Sequence, residues 1–346
     1  MNSNYFGLDV GTDQIVLATN IGTVNPFVQN VFVSVPAEQA VKKALQKLDC
    51  QYLCDQDYIH IMGEDAYEFA TVLNLPIRRT MRAGTVNAGD DTCIRVFRHL
   101  LSETLKKHVT ADNIVCFSLP SSGFAAAPTP SPVHLQFHEN LIRDVLKERK
   151  CVGVPVKEGM AVVYSELQDE GYTGLGISFG AGLVNVVFSY MTMVAFDFSL
   201  PLGGDILDEK AAALLGVNQS RIREAKENGF SFNTHGGTLH ETLRLVYADM
   251  MSSVIAAIRQ SAERMRLSQR FTRTIPITIA GGSCLPDGFS ELFAEVIAKT
   301  PLPFRVSGVR RAAHPLRAVS AGCLKCALES RTQAPGELAE HAKLSS

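Results

Sequence analysis

Phe6-Gly-Leu-Asp-Val-Gly-Thr-Asp-Gln-Ile-Val-Leu-Ala18 sets residues that could do phosphate chemistry at tight spacing. Phe6, Leu8 and Val10 alternate with Gly7 and Asp9, which is strand periodicity; Gly11-Thr12-Asp13 breaks the run and Ile15-Val16-Leu17 resumes it. A turn of this kind points several backbone N–H groups one way and makes a concave anion site. Gly11 lets a phosphate approach because it has no side chain. Asp9, at the strand end, is placed to hold Mg²⁺ or its water shell. An ordinary β-hairpin with an Asp near its turn would look the same, because short glycine motifs recur by chance.

A second stretch repeats the pattern. Leu175-Gly-Ile-Ser-Phe-Gly-Ala-Gly-Leu-Val-Asn-Val-Val-Phe188 sets Gly176-Ile177-Ser178-Phe179-Gly180 beside Gly7-Leu8-Asp9-Val10-Gly11. Gly180, Ala181 and Gly182 then match the first turn. An internal repeat on this scale implies two similar half-domains facing one another, able to clamp a phosphate chain from both sides. A third element, Ile275-Pro-Ile-Thr-Ile-Ala-Gly-Gly-Ser283, is again strand then glycine pair, and Gly281, Gly282 and Ser283 can lie flat against a nucleoside.

Three such elements in this order resemble the actin and heat-shock-chaperone ATPase superfamily, most closely bacterial actins of the MreB type. There they are phosphate loop one, phosphate loop two and the adenosine motif. Lys157-Glu158-Gly159-Met160-Ala161 resembles the Glu-Pro-Met-Ala connecting segment, and Pro201-Leu202-Gly203-Gly204-Asp205-Ile-Leu-Asp208 the Gly-Gly-Asp segment after loop two. Fainter matches are Gly63-Glu64-Asp65-Ala66 and Arg79-Thr80-Met81-Arg82-Ala83-Gly84. The resemblance spans roughly residues 5 to 328 and implies an α/β, actin-like ATPase fold. Two ribonuclease-H-like halves would flank a nucleotide cleft, each with a small inserted subdomain. It implies a first half over 1–156 with its small subdomain near 36–76 and a returning helix over 312–328, a second half over 157–311 with a subdomain near 206–262, and a disordered tail over 330–346. It also implies ATP/ADP with Mg²⁺ as ligand, Asp9 as the metal residue, Glu158 orienting the attacking water, and Gly203, Gly204, Asp205 and Glu224 beside the nucleotide, with Lys226 a further candidate.

The pattern departs from the family at named positions. Ser178 stands where an Asp is usual, Leu183 where Thr or Ser is usual, and Gly159 replaces the connecting proline. Losing a positioned carboxylate costs rate. Nucleotide binding is therefore expected, with slow hydrolysis. The leading reading is self-association into filaments governed by nucleotide state. The second is a non-filamentous adaptor with a degenerate site. A small-molecule kinase would need an additional carboxylate base, and none stands out.

Composition bounds these readings. The 346 residues, 46% hydrophobic and 20% charged, suit two globular domains. A net charge of −2, without basic clusters, gives no support for nucleic-acid binding. No export signal or membrane anchor is evident, which points to the cytoplasm. The eight cysteines are then expected as reduced thiols rather than as a zinc site joining Cys50, Cys54, Cys323 and Cys326.

Local patterns predict the elements that position these residues. Strands are expected over Tyr5–Val10, Gln14–Asn20, Phe27–Val35, Tyr58–Met62 and Ile114–Leu119, and helices over Ala37–Leu48, 90–108, Gln136–Glu148 and Thr238–Leu267. Between them, Ser121–Pro132 carries prolines at 128, 130 and 132, which favour an extended loop and argue against helix. It is a candidate partner-docking loop, or a plain solvated one.

Overall fold

The computed structural model describes residues 4–19, 26–124, 129–267 and 273–329. The 330–346 tail, Asn20 and Pro128 lie outside the described residues.

The chain begins with β1 (Tyr5–Val10), β2 (Gln14–Thr19), β3 (Phe27–Gln29) and β4 (Val31–Pro36). Then follow α1 (Gln39–Lys47), β5 (Tyr52–Cys54), β6 (Tyr58–Met62), α2 (Glu64–Leu73), β7 (Arg78–Arg79), β8 (Met81–Arg82) and β9 (Thr85–Val86). Next come α3 (Asp91–Lys106), β10 (Ile114–Leu119), α4 (Pro132–Glu148), β11 (Val152–Lys157) and α5 (Glu158–Glu166). The second part contains β12 (Gly174–Phe179), β13 (Val184–Tyr190), β14 (Met193–Leu200), α6 (Gly204–Leu215), α7 (Gln219–Glu227) and α8 (Thr238–Arg264). It ends with β15 (Ile275–Ala280), α9 (Phe289–Lys299), β16 (Val306–Arg311) and α10 (Ala318–Glu329).

Two five-stranded sheets carry the molecule. One runs β3-β2-β1-β10-β11 and the other β14-β13-β12-β15-β16. In each, the first three strands form an antiparallel meander and the last two run parallel to the central strand. The sequence repeat is thus a repeat of topology, with β1–β2 corresponding to β12–β13. Central strands buried on both faces read as unbroken apolar runs, and β12 and most of β13 are fully buried. A smaller sheet, β5-β6-β4-β7, is inserted after β3.

Helices α5 and α10 cross beneath the central strands and join the lobes. Their approach depends on a missing side chain: a Cβ on Gly322 would stand 1.8 Å from the Ala161 carbonyl oxygen. Each lobe has its own core, one centred on Phe179, Phe289 and Phe293, the other on Phe97, Phe117 and Leu101. No helix among the described residues is long and apolar enough to cross a membrane.

Three local expectations need correction. Phe27–Val35 is not one strand but two, and they belong to different sheets. The break is Asn30, whose side chain donates to the Gly11 carbonyl oxygen at 3.1 Å while its backbone N–H donates to that of Asp13 at 2.8 Å. Helix α2 was not foreseen; it opens with Glu64 and Asp65 in its first turn and stops at Asn74 in the left-handed region. The proline run does not keep residue 132 out of a helix. Ser131 caps α4 and Pro132 occupies its first turn, where no N–H is needed. None of the eight cysteines is disulfide-bonded, and no group of three or more His, Cys, Asp or Glu side chains is placed to hold a metal among the described residues.

Candidate functional site

A cleft of about 790 Å³ separates the two lobes, and all three glycine turns open into it. Its floor holds two carboxylates. Asp9 is the penultimate residue of β1, and its Oδ1 accepts a hydrogen bond from Ser118 Oγ at 3.0 Å. The same hydroxyl accepts from the Val10 N–H at 2.9 Å, which fixes its orientation. Glu158 is the first residue of α5 and only 9% exposed. Its Oε2 accepts from Asn185 Nδ2 at 2.9 Å. The Asn185 amide is itself oriented, because its Oδ1 accepts from the Ser121 N–H at 3.1 Å and lies 2.5 Å from Ser199 Oγ.

Burial raises the pKa of both carboxyls. The charge of Asp9 raises Glu158 further, while hydrogen bonds from Ser178 and Asn185 draw it partly back. The two acids therefore compete for ionisation, and a divalent cation between them and a polyphosphate would relieve that competition. This is the oxygen-only, water-completed setting that suits Mg²⁺.

The walls are two glycine turns, loop one (Gly11–Asp13) and loop two (Gly180–Gly182). In loop one, Gly11 N–H donates to the Gln14 carbonyl at 2.9 Å and closes the turn; Thr12 Oγ1 accepts from the Gly84 N–H at 3.2 Å. In loop two, Gly180 N–H donates to the Leu183 carbonyl at 2.9 Å. The loops nearly touch: a Cβ on Gly182 would lie 2.6 Å from Thr12 Oγ1. Leu183 is buried, with its side chain lying over Gly84.

Gly11, Thr12, Asp13, Gly180, Ala181, Gly182, Gly204, Asp205, Gly281, Gly282 and Ser283 all line the cleft with Asp9 and Glu158. Gly203 sits behind the wall, packed against Ala181. The Gly204 and Asp205 N–H groups, which open α6, donate to the Gly180 and Ala181 carbonyls at 3.0 and 2.9 Å, so this segment braces loop two. Ser283 Oγ also donates to the Gly180 carbonyl, at 3.1 Å. Glu224 is the exception. It is exposed and outside the cleft, because Arg223, Lys226 and Glu227 form the inward stripe of α7 and residue 224 is rotated about 100° from Arg223. The far end is apolar, with Phe230, Tyr247, Leu285, Pro286 and Leu316.

Sequence reasoning missed Asn185, Ser118, Arg223 and the role of Arg79, whereas Lys226, a candidate there, does line the cleft. Arg79 pairs with Asp13 and, at 2.5 Å, with Asp205; Arg223 reaches Asp205 at 3.1 Å, and Lys226 reaches Asp208 at 2.6 Å. Asn185 did leave a trace: it is the one amide in the apolar run Leu183–Phe188. Arg79 stood in the faint Arg79–Gly84 match, but nothing there pointed to its partners, which lie far away in sequence.

Paired sheets of one topology, facing across a cleft with acidic floor and glycine-turn walls, define an actin-like ATPase fold. A MamK double helical filament structure matches with a TM-score of 0.71 at 18% identity, covering 96% of this chain and 100% of that one. MreB 5 of Spiroplasma citri bound to AMPPNP matches with a TM-score of 0.69 at 12% identity, covering 97% and 99%. The ethanolamine utilization protein EutJ from Carboxydothermus hydrogenoformans matches at 0.53 and 16% identity, covering 94% and 90%. These identities speak to the fold alone. No curated protein sequence matches the chain significantly. The chain belongs to the Volactin family, whose profile matches residues 4–327.

Proposed function

We propose that this protein is an actin-like polymerising protein that binds ATP with Mg²⁺ in the cleft and assembles into filaments according to nucleotide state. The observation that carries the reading is the convergence of three glycine turns on one cleft with Asp9 and Glu158 at its floor. The first half is assigned to 1–156 with the returning helix 312–328, and the second to 157–311. The amides of Thr12, Asp13, Ala181 and Gly182 cradle the phosphates, on turns that the Gly11 and Gly180 N–H groups close. Asp9 would hold Mg²⁺, which would neutralise phosphate charge when bound. Gly281–Ser283, with the apolar residues beyond, receive the nucleoside.

Glu158 accepts a hydrogen bond from the attacking water, and Asn185 keeps Glu158 aimed. Hydrolysis is slow because Ser178 gives the site one carboxylate fewer than the family pattern. MreB 5 of Spiroplasma citri, which has this fold, binds AMPPNP and ADP, and MamK forms a double helical filament. Both facts support carrying nucleotide binding and assembly over to this chain.

The test is sedimentation and negative-stain microscopy of the purified protein with ATP, ADP or no nucleotide, with phosphate release followed in the same tubes. Nucleotide-dependent filaments with slow release are expected. A species that binds ATP but neither pellets nor releases phosphate would overturn the filament reading. It would favour an adaptor that works through a partner, with the Pro128–Pro132 loop the first surface to search. Asp9→Ala should weaken Mg-ATP binding, and unchanged affinity would remove Asp9 from the metal role.

A further inference from the structure

Arg79 belongs to neither phosphate loop, yet it touches both walls of the cleft. It ends β7, which pairs with β4 through Val31, so its backbone is part of the first lobe. One guanidinium nitrogen bonds Asp13, in the turn between β1 and β2 of the same lobe. The other bonds Asp205 Oδ1 at 2.5 Å, on the first turn of α6 in the opposite lobe. All three residues have fixed backbones: Asn30 holds the Asp13 carbonyl, and the Asp205 N–H is tied to the Ala181 carbonyl of loop two. The Arg79 side chain is 14% exposed and that of Asp205 35%, so the pair is half-buried and screened less than a fully exposed one. A guanidinium presents a rigid fork of donors and can hold two carboxylates at once; an ammonium cannot reproduce that geometry.

We infer that Arg79 is a positioning residue that latches the two lobes across the cleft and sets how fast an enclosed nucleotide leaves. The chain crosses between the lobes at the β11–α5 junction, Lys157–Glu158, and again between β16 and α10. Lobes that part about these crossings must pull Asp205 away from Arg79 and lift Leu183 off Gly84. The latch itself needs no ligand; only its effect on release rests on the nucleotide reading above.

The experiment compares wild type with Arg79→Leu, Arg79→Lys, Asp205→Asn and the Arg79→Leu/Asp205→Asn double variant. Circular dichroism first establishes that each is folded. Hydrogen–deuterium exchange of the unliganded proteins follows the amides of residues 9–16 and 178–185. Stopped-flow fluorescence follows release of methylanthraniloyl-ADP with Mg²⁺. Arg79→Leu and Asp205→Asn should each speed both exchange and release about tenfold, the change for losing the charge-assisted link that crosses the cleft, since the Arg79–Asp13 and Arg223–Asp205 pairs they also remove lie within single lobes. Arg79→Lys should fall between, and the double variant should be no faster than either single one. Exchange equal to wild type in Arg79→Leu, or full additivity in the double variant, overturns the latch. If wild type binds no methylanthraniloyl-ADP, the nucleotide reading fails, and the exchange data still decide the latch.

Discussion

Asn185→Leu is the sharpest perturbation of the site, because one amide holds three things. It donates to Glu158 at 2.9 Å, accepts from the Ser121 N–H at 3.1 Å, and lies beside Ser199 Oγ. Leucine fills nearly the same volume, so the packing of β13 survives while every hydrogen bond goes. Two buried groups are then left unpaired: the Ser121 N–H and one oxygen of Glu158. Each such group costs about 1–3 kcal/mol, so the expected destabilisation is about 2–6 kcal/mol. With 346 residues unfolding together, an unfolding entropy of about 2.1 cal/mol/K per residue makes 1 kcal/mol worth roughly 1.4 °C, so Tm should fall by about 3–8 °C. The assay is thermal unfolding by circular dichroism, paired with phosphate release. Ser199→Ala is the control; it removes a single hydroxyl and should cost about 1 kcal/mol, near the net worth of one hydrogen bond. Turnover should fall in Asn185→Leu further than stability explains, since Glu158 loses its aim. A variant as stable as wild type would refute the bonding scheme. A destabilised variant with undiminished turnover would separate Asn185 from the placement of Glu158.

His138 gives a pH prediction. It is fully buried on α4 against Phe97, with both ring nitrogens unpartnered, and burial lowers its pKa from 6.5 to about 4. Between those values the unfolded chain takes up a proton and the folded chain does not, so stability falls as pH drops through that window, by about 2 kcal/mol between pH 7 and pH 5. His138→Leu should flatten that slope in urea unfolding, and an unchanged slope would clear His138. Ser178→Asp adds a third acid beside Asp9 and Glu158, so it should lower Tm in EDTA, recover with Mg-ATP and raise turnover; an unchanged rate would mean another group is limiting. Gly322→Ala would drive a Cβ into the Ala161 carbonyl at 1.8 Å and force α10 from α5. Overpacking of this kind costs about 1–3 kcal/mol or more, and a wild-type melting curve would show that the helices do not cross so closely.

Much of the fold was legible because its signals are local. Strands β1, β6 and β10 were read to the residue, since strand alternation and turn glycines sit within a few positions of one another. The repeat of β1–β2 in β12–β13 could be found by laying two short stretches side by side. What failed to show was long-range. Asn30 splits an apolar run because it bonds Gly11 and Thr80, and nothing in Phe27–Val35 itself reveals those partners. Arg79 and Asp205 are 126 residues apart, so their pairing leaves no periodicity to detect. Glu224 was misplaced by one step of a helix: a motif can locate α7, but only packing decides which stripe faces the cleft.

The two departures in loop two have a common physical consequence. Ser178 withdraws a charge from the floor, and Leu183 converts a polar wall position into an apolar contact with Gly84. Each cation lining the cleft among the described residues, Arg79, Arg223 and Lys226, is already paired with a carboxylate. An entering polyphosphate must therefore compete with internal ion pairs and separate packed loops before it meets the backbone amides. A ligand that succeeds is enclosed by the same contacts re-forming, and the groups that would hydrolyse it are fewer than the fold can carry. On the proposed reading, such a cleft would hold a nucleotide longer than turn it over, and a filament of such subunits would keep its bound state until the lobes open.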